Sequence, residues 1–268
     1  MTNGGGNGGA CTGPSWQMNV AAVLPTKNDA APFLTDIANC NLSHVSWVIP
    51  DGNWSDHSAN TDPGDAGPSW IAAIVNAIGN ATTCDEGAGY WSDTVILILW
   101  DDWGGLYDDV VPPDCPGPLP CTGYSNLTGG QYVYGFRVPL LVVGAYAKQG
   151  YISGANIFPP DCLHNTYCHD FGSILNFIEF AFGTGGKPLG FPGGISGLNY
   201  PYADWLVMDQ GQAPNNYSLY DFFDFTKPRT FQTINGARYQ PSCFHSPAGP
   251  GCFATYPVDP DNDANENN

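Results

Sequence analysis

The chain has 268 residues and a formal net charge of −18, from 25 acidic side chains against 7 Lys and Arg. That balance argues against nucleic acid and against an anionic membrane surface as partners. Only 12% of residues are charged, while the 34 Gly, the 24 Pro and an aromatic share of 13% describe a packed, loop-rich chain, long enough for one large core and unlike a disordered acidic polymer.

In chain order, residues 1–16 are rich in Gly and Asn and read as a flexible leader. They offer neither a basic start nor an apolar run, so no signal peptide is read there. Residues 17–256 follow as the structured domain. Asp29–Asn39 predicts a short helix, and His44–Pro50 alternates in polarity and stops at Pro, as a strand does. Asp51–Ser58 is a polar loop carrying His57. Pro68–Gly79 has Pro in its first turn and Gly at its end, which predicts a helix. Thr94-Val-Ile-Leu-Ile-Leu-Trp100 is β-branched and apolar without alternation, the pattern of a strand buried on both faces in a parallel sheet. Strand, loop, helix and strand in that order make a βαβ unit. Arg137–Val143 predicts a second buried strand, and Gly172–Gly183 a helix with Ser173 as a candidate cap. Tyr217–Phe225 predicts one short amphipathic helical turn. Residues 257–268 read as a solvated acidic tail. Its Asp259, Asp261 and Asp263 resemble the start of a calcium loop whose Gly and distal Glu are not in place. No apolar run approaches the ~20 residues of a membrane span.

Nine cysteines are many for this length. Cys115 and Cys121, Cys162 and Cys168, and Cys243 and Cys252 bracket short loops, and Cys40 and Cys84 a longer one; sequence alone leaves the connectivity open. Cys11 is left over. Asn41, Asn53, Asn80, Asn126 and Asn216 stand in N-x-S/T triplets. Together these predict an oxidising extracellular or periplasmic setting.

The chemistry concentrates where the apolar strand ends. Asp101-Asp102 precede Trp103-Gly104-Gly105, at the carboxyl end of a strand, where open α/β sheets bind ligands. Adjacent carboxylates repel, and a hard divalent cation is the usual way to hold both ionised. The competing reading makes them polar turn residues that close a strand. His57 is either an exposed loop residue or a proton donor to a leaving oxygen. Cys162-x-His164-x-x-x-Cys168-His169 looks like a zinc cluster, but four ligands so close together cannot easily surround one tetrahedral ion, and a disulfide displaying His164 and His169 is the better reading. The Asp108-Asp109 pair reads as surface charge. Neither G-x-S-x-G nor a phosphate-cradling P-loop occurs.

Several of these runs resemble the bacterial phospholipase C / acid phosphatase family of phosphoesterases. They are Trp47-Val-Ile-Pro with Ser55-Asp56-His57, Pro68–Ile78, Trp100–Pro113, Arg137–Val143, His169-Asp-Phe-Gly-Ser-Ile-Leu-Asn-Phe-Ile-Glu179, Tyr202-Ala-Asp and Asp221-Phe-Phe-Asp-Phe225. The resemblance implies an alkaline-phosphatase-like α/β/α sandwich and hydrolysis of phosphate esters by a hydroxyl nucleophile beside a divalent metal ion. Asp101 and Asp102 match the family's metal-ligating aspartates, and His57 a histidine at the phosphate site; His164 and His169 match without a defined role. The family's Glu-Asn metal motif and its Ser or Thr nucleophile have no counterpart, and Tyr107-Asp108-Asp109-Val110 stands where members commonly read Tyr-Asp-His-Val.

The expectation is therefore the carboxy-terminal part of a secreted, metal-dependent phosphoesterase, loop-rich and disulfide-stapled, that works with an amino-terminal half either supplied as a separate chain or lost from the gene model. The rival expectation is a non-catalytic extracellular protein that retains this part of the fold for self-association or assembly.

Overall fold

The computed structural model describes residues 32–50, 54–55, 66–109, 136–153, 169, 171–182 and 219–245. Helix and strand are mixed: α1 Pro32–Ala38, α2 Ala66–Asn80, β1 Val95–Leu99, β2 Leu140–Gly144, α3 Phe171–Ala181 and α4 Ser242–His245, with 3-10 turns at Asp85–Gly87, Tyr90–Ser92 and Tyr220–Phe222. Among the described residues, β1 and β2 are hydrogen-bonded neighbours in a two-stranded sheet. The chain divides into two compact units, Met1–Ile96 with Arg229–Asn268, and Leu97–Pro228.

In the first unit, Pro32 opens α1, where a missing N–H costs nothing. Phe33 and Ile37, one turn apart, are buried against Ile74 and Ile78 of α2, with Leu42, Val48, Tyr90 and Ile96 around them. α1 ends in a Schellman-type turn: the Asn41 N–H reaches the Asp36 carbonyl at 2.8 Å, and Cys40 takes a φ of 57°, where Gly is usual. Cys40 is held there by its disulfide to Cys84, the longer of the anticipated pairings. Cys243 is also disulfide-bonded. Cys11, Cys115, Cys121, Cys162, Cys168 and Cys252 lie outside the described residues, as do the leader and the acidic tail.

A second cluster joins Trp54, Ala66, Ala73, Tyr239 and Cys243, with the Trp54 and Tyr239 rings edge-on at 5.6 Å. Residues 229–239 lie along α2 without a ladder. Their polar backbone is met instead by side chains. Asn76 gives its Nδ2 proton to the Ile234 carbonyl at 2.9 Å and accepts the Ile234 N–H at 2.8 Å; Ser69 Oγ accepts the Tyr239 N–H at 3.1 Å; Trp91 Nε1 donates to the Arg229 carbonyl at 2.8 Å.

In the second unit, Tyr146 to Ser153 follow β2 and run beside residues 219–225. Ala147 and Phe223 form an antiparallel bridge, and the Lys148 and Asp224 N–H groups reach the Phe222 and Tyr146 carbonyls at 2.8 and 2.9 Å. Phe223 stacks on Phe177 of α3 at 5.4 Å.

Four expectations need correction. Residues 44–50 join no ladder, so the strand that would have opened a βαβ unit does not form; the alternation instead records one-sided burial, with Val45, Trp47 and Ile49 exposed and Val48 packed inward. β1 is half-buried at every position rather than buried on both faces, and among the described residues its one strand neighbour is β2. Ser173 is no cap: α3 starts at Phe171, and Ser173 lies inside it at 0% exposure. Of the described residues 219–225, only Tyr220–Phe222 is helical, as a 3-10 turn that Leu219, with a φ of 64°, precedes.

Candidate functional site

β1 delivers the chain to Asp101 and Asp102, both exposed. The turn that follows is held by its own atoms. Asp102 Oδ1 accepts the Gly104 N–H at 2.5 Å, and the Leu106 N–H reaches the Trp103 carbonyl at 2.9 Å. Gly104 and Gly105 adopt φ values of 60° and 72°, a left-handed pair that side chains rarely tolerate. The two carboxylates are therefore presented outward from a tight reversal. They offer hard oxygen donors of the kind divalent cations take. They are two donors only: among the described residues, no group of three or more His, Cys, Asp and Glu converges as a metal cage. His57 and His164 lie outside the described residues.

Beyond the turn, Asp108 is not the loose surface charge its sequence predicted. Arg137 grips it with Nε to Oδ2 at 2.7 Å, Nη2 to Oδ1 at 2.8 Å and its backbone N–H to Oδ2 at 3.3 Å. These hydrogen bonds raise the guanidinium pKa against the opposing pull of burial. Asp109 remains exposed, 3.9 Å from Arg137 Nη2.

A second polar constellation centres on His169, immediately ahead of α3. Its Nε2 stands 3.2 Å from Asp221 Oδ1, with the two side chains only 11% and 3% exposed. Asp221 Oδ2 also accepts Ser153 Oγ–H at 2.6 Å and Tyr151 OH at 2.9 Å. Lys148 Nζ donates to the Asp221 carbonyl at 2.6 Å and lies over the Tyr151 ring. Burial pushes the Asp221 carboxyl up, but the bonds from His169, Ser153 and Tyr151 outweigh it and hold the group below the usual carboxylate range. Ser153, His169 and Asp221 are not a nucleophilic triad. Ser153 Oγ and the carboxylate both face His169 Nε2, and the hydroxyl proton is committed to Asp221, so no base is free to activate the serine. Sequence reasoning left Ser153 and Asp221 without a role. The only available signal was an acid among aromatics, Tyr220-Asp221-Phe222-Phe223, where an acid that enters a core needs partners.

The model of the Phosphoesterase family matches residues 15–185. The chain belongs to the Phosphoesterase family. It is 26% identical over 165 residues to the non-hemolytic phospholipase C of Pseudomonas aeruginosa, an alignment covering 55% of the chain and 21% of that enzyme. It is 30% identical over 161 residues to phospholipase C B of Mycobacterium tuberculosis, covering 56% of the chain and 27% of the relative. With the non-hemolytic phospholipase C of Burkholderia pseudomallei the figures are 27% over 160 residues, 55% and 20%. The matches thus span about a fifth to a quarter of the curated relatives' length. No solved structure matches the chain. The matched region takes in the Asp101–Asp102 turn, the Arg137–Asp108 grip and His169; Asp221 falls beyond it.

Proposed function

We propose that this chain is part of a secreted, metal-dependent phosphoesterase of the phospholipase C / acid phosphatase type, contributing the paired carboxylates of its active site. The observation that carries the reading is the exposed Asp101–Asp102 pair at the end of β1, on a turn fixed by Gly104 and Gly105 and inside the family match. In this reading β1 and β2 belong to an alkaline-phosphatase-like α/β/α sandwich, and the remaining strands, the nucleophile and further metal ligands come from a part of the enzyme that this sequence does not cover. A bound divalent ion would polarise the phosphoryl oxygens and make a hydroxyl more nucleophilic. Asp101 and Asp102 would hold that ion, with the Gly104 N–H fixing the orientation of the Asp102 carboxylate. His57 would protonate the leaving oxygen.

The test uses the native assembly with p-nitrophenyl phosphate and p-nitrophenyl phosphorylcholine as soluble and lipid-headgroup substrates. Asp101→Ala and Asp102→Ala should each lower turnover by at least about a hundredfold, in line with the loss of one fixed electrostatic contact to the transition state. Unchanged turnover in either variant sinks the metal-ligand assignment. Intact mass with and without reductant then reports whether a second polypeptide accompanies this one.

A second reading, a non-catalytic extracellular assembly protein, draws on the large apolar side chains at the surface. Trp47 is 50% exposed, Ile49 57% and Leu141 52%. Exposed apolar side chains of this size suit association with another polypeptide. Identical chains sedimenting as a stable oligomer, without hydrolysis, favour this reading.

A further inference from the structure

Asp101, Asp102, Asp108 and Asp109 place four carboxylates on one short stretch, and such a loop repels itself open unless something opposes the charge. The second unit supplies one cation to it. Arg137 lies three residues ahead of β2 and closes a planar fork on Asp108, adding its backbone N–H to the same carboxylate. Its neighbour Phe136 extends the grip to the other side of the turn: Trp103 meets the Phe136 ring edge-on at 5.4 Å and Tyr107 at 5.6 Å. The residues that follow the aspartate pair are thus fastened at Trp103, Tyr107 and Asp108, all to the dipeptide Phe136-Arg137, while β1 fixes the residues that precede it. The charge arithmetic is selective. Arg137 compensates Asp108 and leaves Asp109 at 3.9 Å, so its fork is spent on one carboxylate, while Asp101 and Asp102 stay exposed to another cation.

We infer that Arg137, with Phe136, is the positioning element for the Asp101–Asp102 pair: its bidentate hold on Asp108 locks the Trp103–Asp108 turn so that the two carboxylates stand ready for a divalent ion. Arg137 does not touch the reacting atoms. It acts through the turn, and its geometry needs the guanidinium fork, because an ammonium cannot span both carboxylate oxygens. The inference rests on the phosphoesterase reading for the identity of the ligand, but the locking itself is a property of this chain alone.

The experiment compares wild type with Arg137→Met, Arg137→Lys and the charge exchange Asp108→Arg/Arg137→Asp, all in the native assembly. Arg137 is 63% exposed, so the fold tolerates its replacement by Met or Lys. Two readouts are taken: amide hydrogen exchange at Gly104 and Leu106, and Mn2+ affinity from the free-ion electron paramagnetic resonance signal. Arg137→Met should speed exchange and weaken Mn2+ binding, each by about fivefold, the upper range for an exposed pair. Turnover at saturating Mn2+ should stay close to wild type. Arg137→Lys should fall between the two, and the charge exchange should restore part of the loss. Unchanged exchange in Arg137→Met overturns the inference, and so does faster exchange with unaltered Mn2+ affinity, the mark of a merely structural tie. If wild type itself binds no Mn2+, the metal reading of the site falls, and the exchange rates alone decide whether Arg137 locks the turn.

Discussion

A carboxylic acid as enclosed as Asp221 would ordinarily keep its proton, since a buried charge without partners is costly. Here His169, Ser153 and Tyr151 favour the charged form strongly enough to lower its pKa. The group therefore binds a proton less readily in the folded chain than in the unfolded one. Its stabilising contribution is complete above the unfolded carboxylate pKa of ~3.9 and is lost as pH falls from there through the folded value. Urea denaturation at a series of pH values should show an acid-side drop in wild type that is smaller in Asp221→Asn. At neutral pH the same variant should lose about 1–3 kcal/mol, because an amide replaces the carboxylate that accepts from Ser153 and Tyr151 in a nearly enclosed setting. Equal acid profiles for the two proteins would show that the network contributes no pH-dependent stability. None of this was legible in the sequence: Ser153, His169 and Asp221 come together from three separate segments, and no short-range spacing connects them. Asp101 and Asp102, by contrast, could be singled out because strand end, acid pair and glycine turn are contiguous.

At the scale of elements, α2 shows what a sequence pattern does and does not determine. Proline in the first turn and apolar residues through Ile78 predicted the helix, and it forms as Ala66–Asn80, only slightly longer than expected. Its burial extends well beyond one stripe, taking in Ala72, Ala73, Ile74, Val75, Ile78 and Gly79, because α1 packs on one side and residues 229–239 cross another. That crossing has no period of its own and could not be anticipated. It explains Gly79, which reads as a simple terminator in sequence: a Cβ there would collide with the Phe231 ring, which Trp91 braces edge-on at 4.9 Å. Gly79→Ala should therefore destabilise the protein by about 1–3 kcal/mol through overpacking, despite the better helix propensity of alanine. Thermal unfolding followed by circular dichroism is the check, and an unchanged or raised midpoint would mean that Phe231 can move aside. The run 44–50 shows the converse case. Its alternation was read as a strand, but a ladder also requires a neighbouring strand, and alternation carries no information about that.

For the molecule as a whole, the mixed helix and strand content and the family were readable, because both rest on local runs in a fixed order. The division into two units was not, since residues 229–245 return to pack with the amino-terminal part from far along the chain. The Cys40–Cys84 disulfide ties the end of α1 to the turn ahead of β1 across a separation of 44 residues. A cross-link of that span removes about 4 kcal/mol of unfolded-state entropy on the chain-closure model. Cys40→Ala/Cys84→Ala should lower stability by an amount of that order, measured by urea denaturation without reductant. A loss below about 1 kcal/mol would mean that the Schellman turn and the α1–α2 contacts hold this region unaided.

The grip of Arg137 on Asp108 also bears on the path of the chain. It joins positions 29 apart, so the intervening segment departs and returns at one fixed point. The same ion pair that steadies the aspartate turn thus acts as a clasp between two distant points of the chain, setting the spacing between the exit from β1 and the entry to β2.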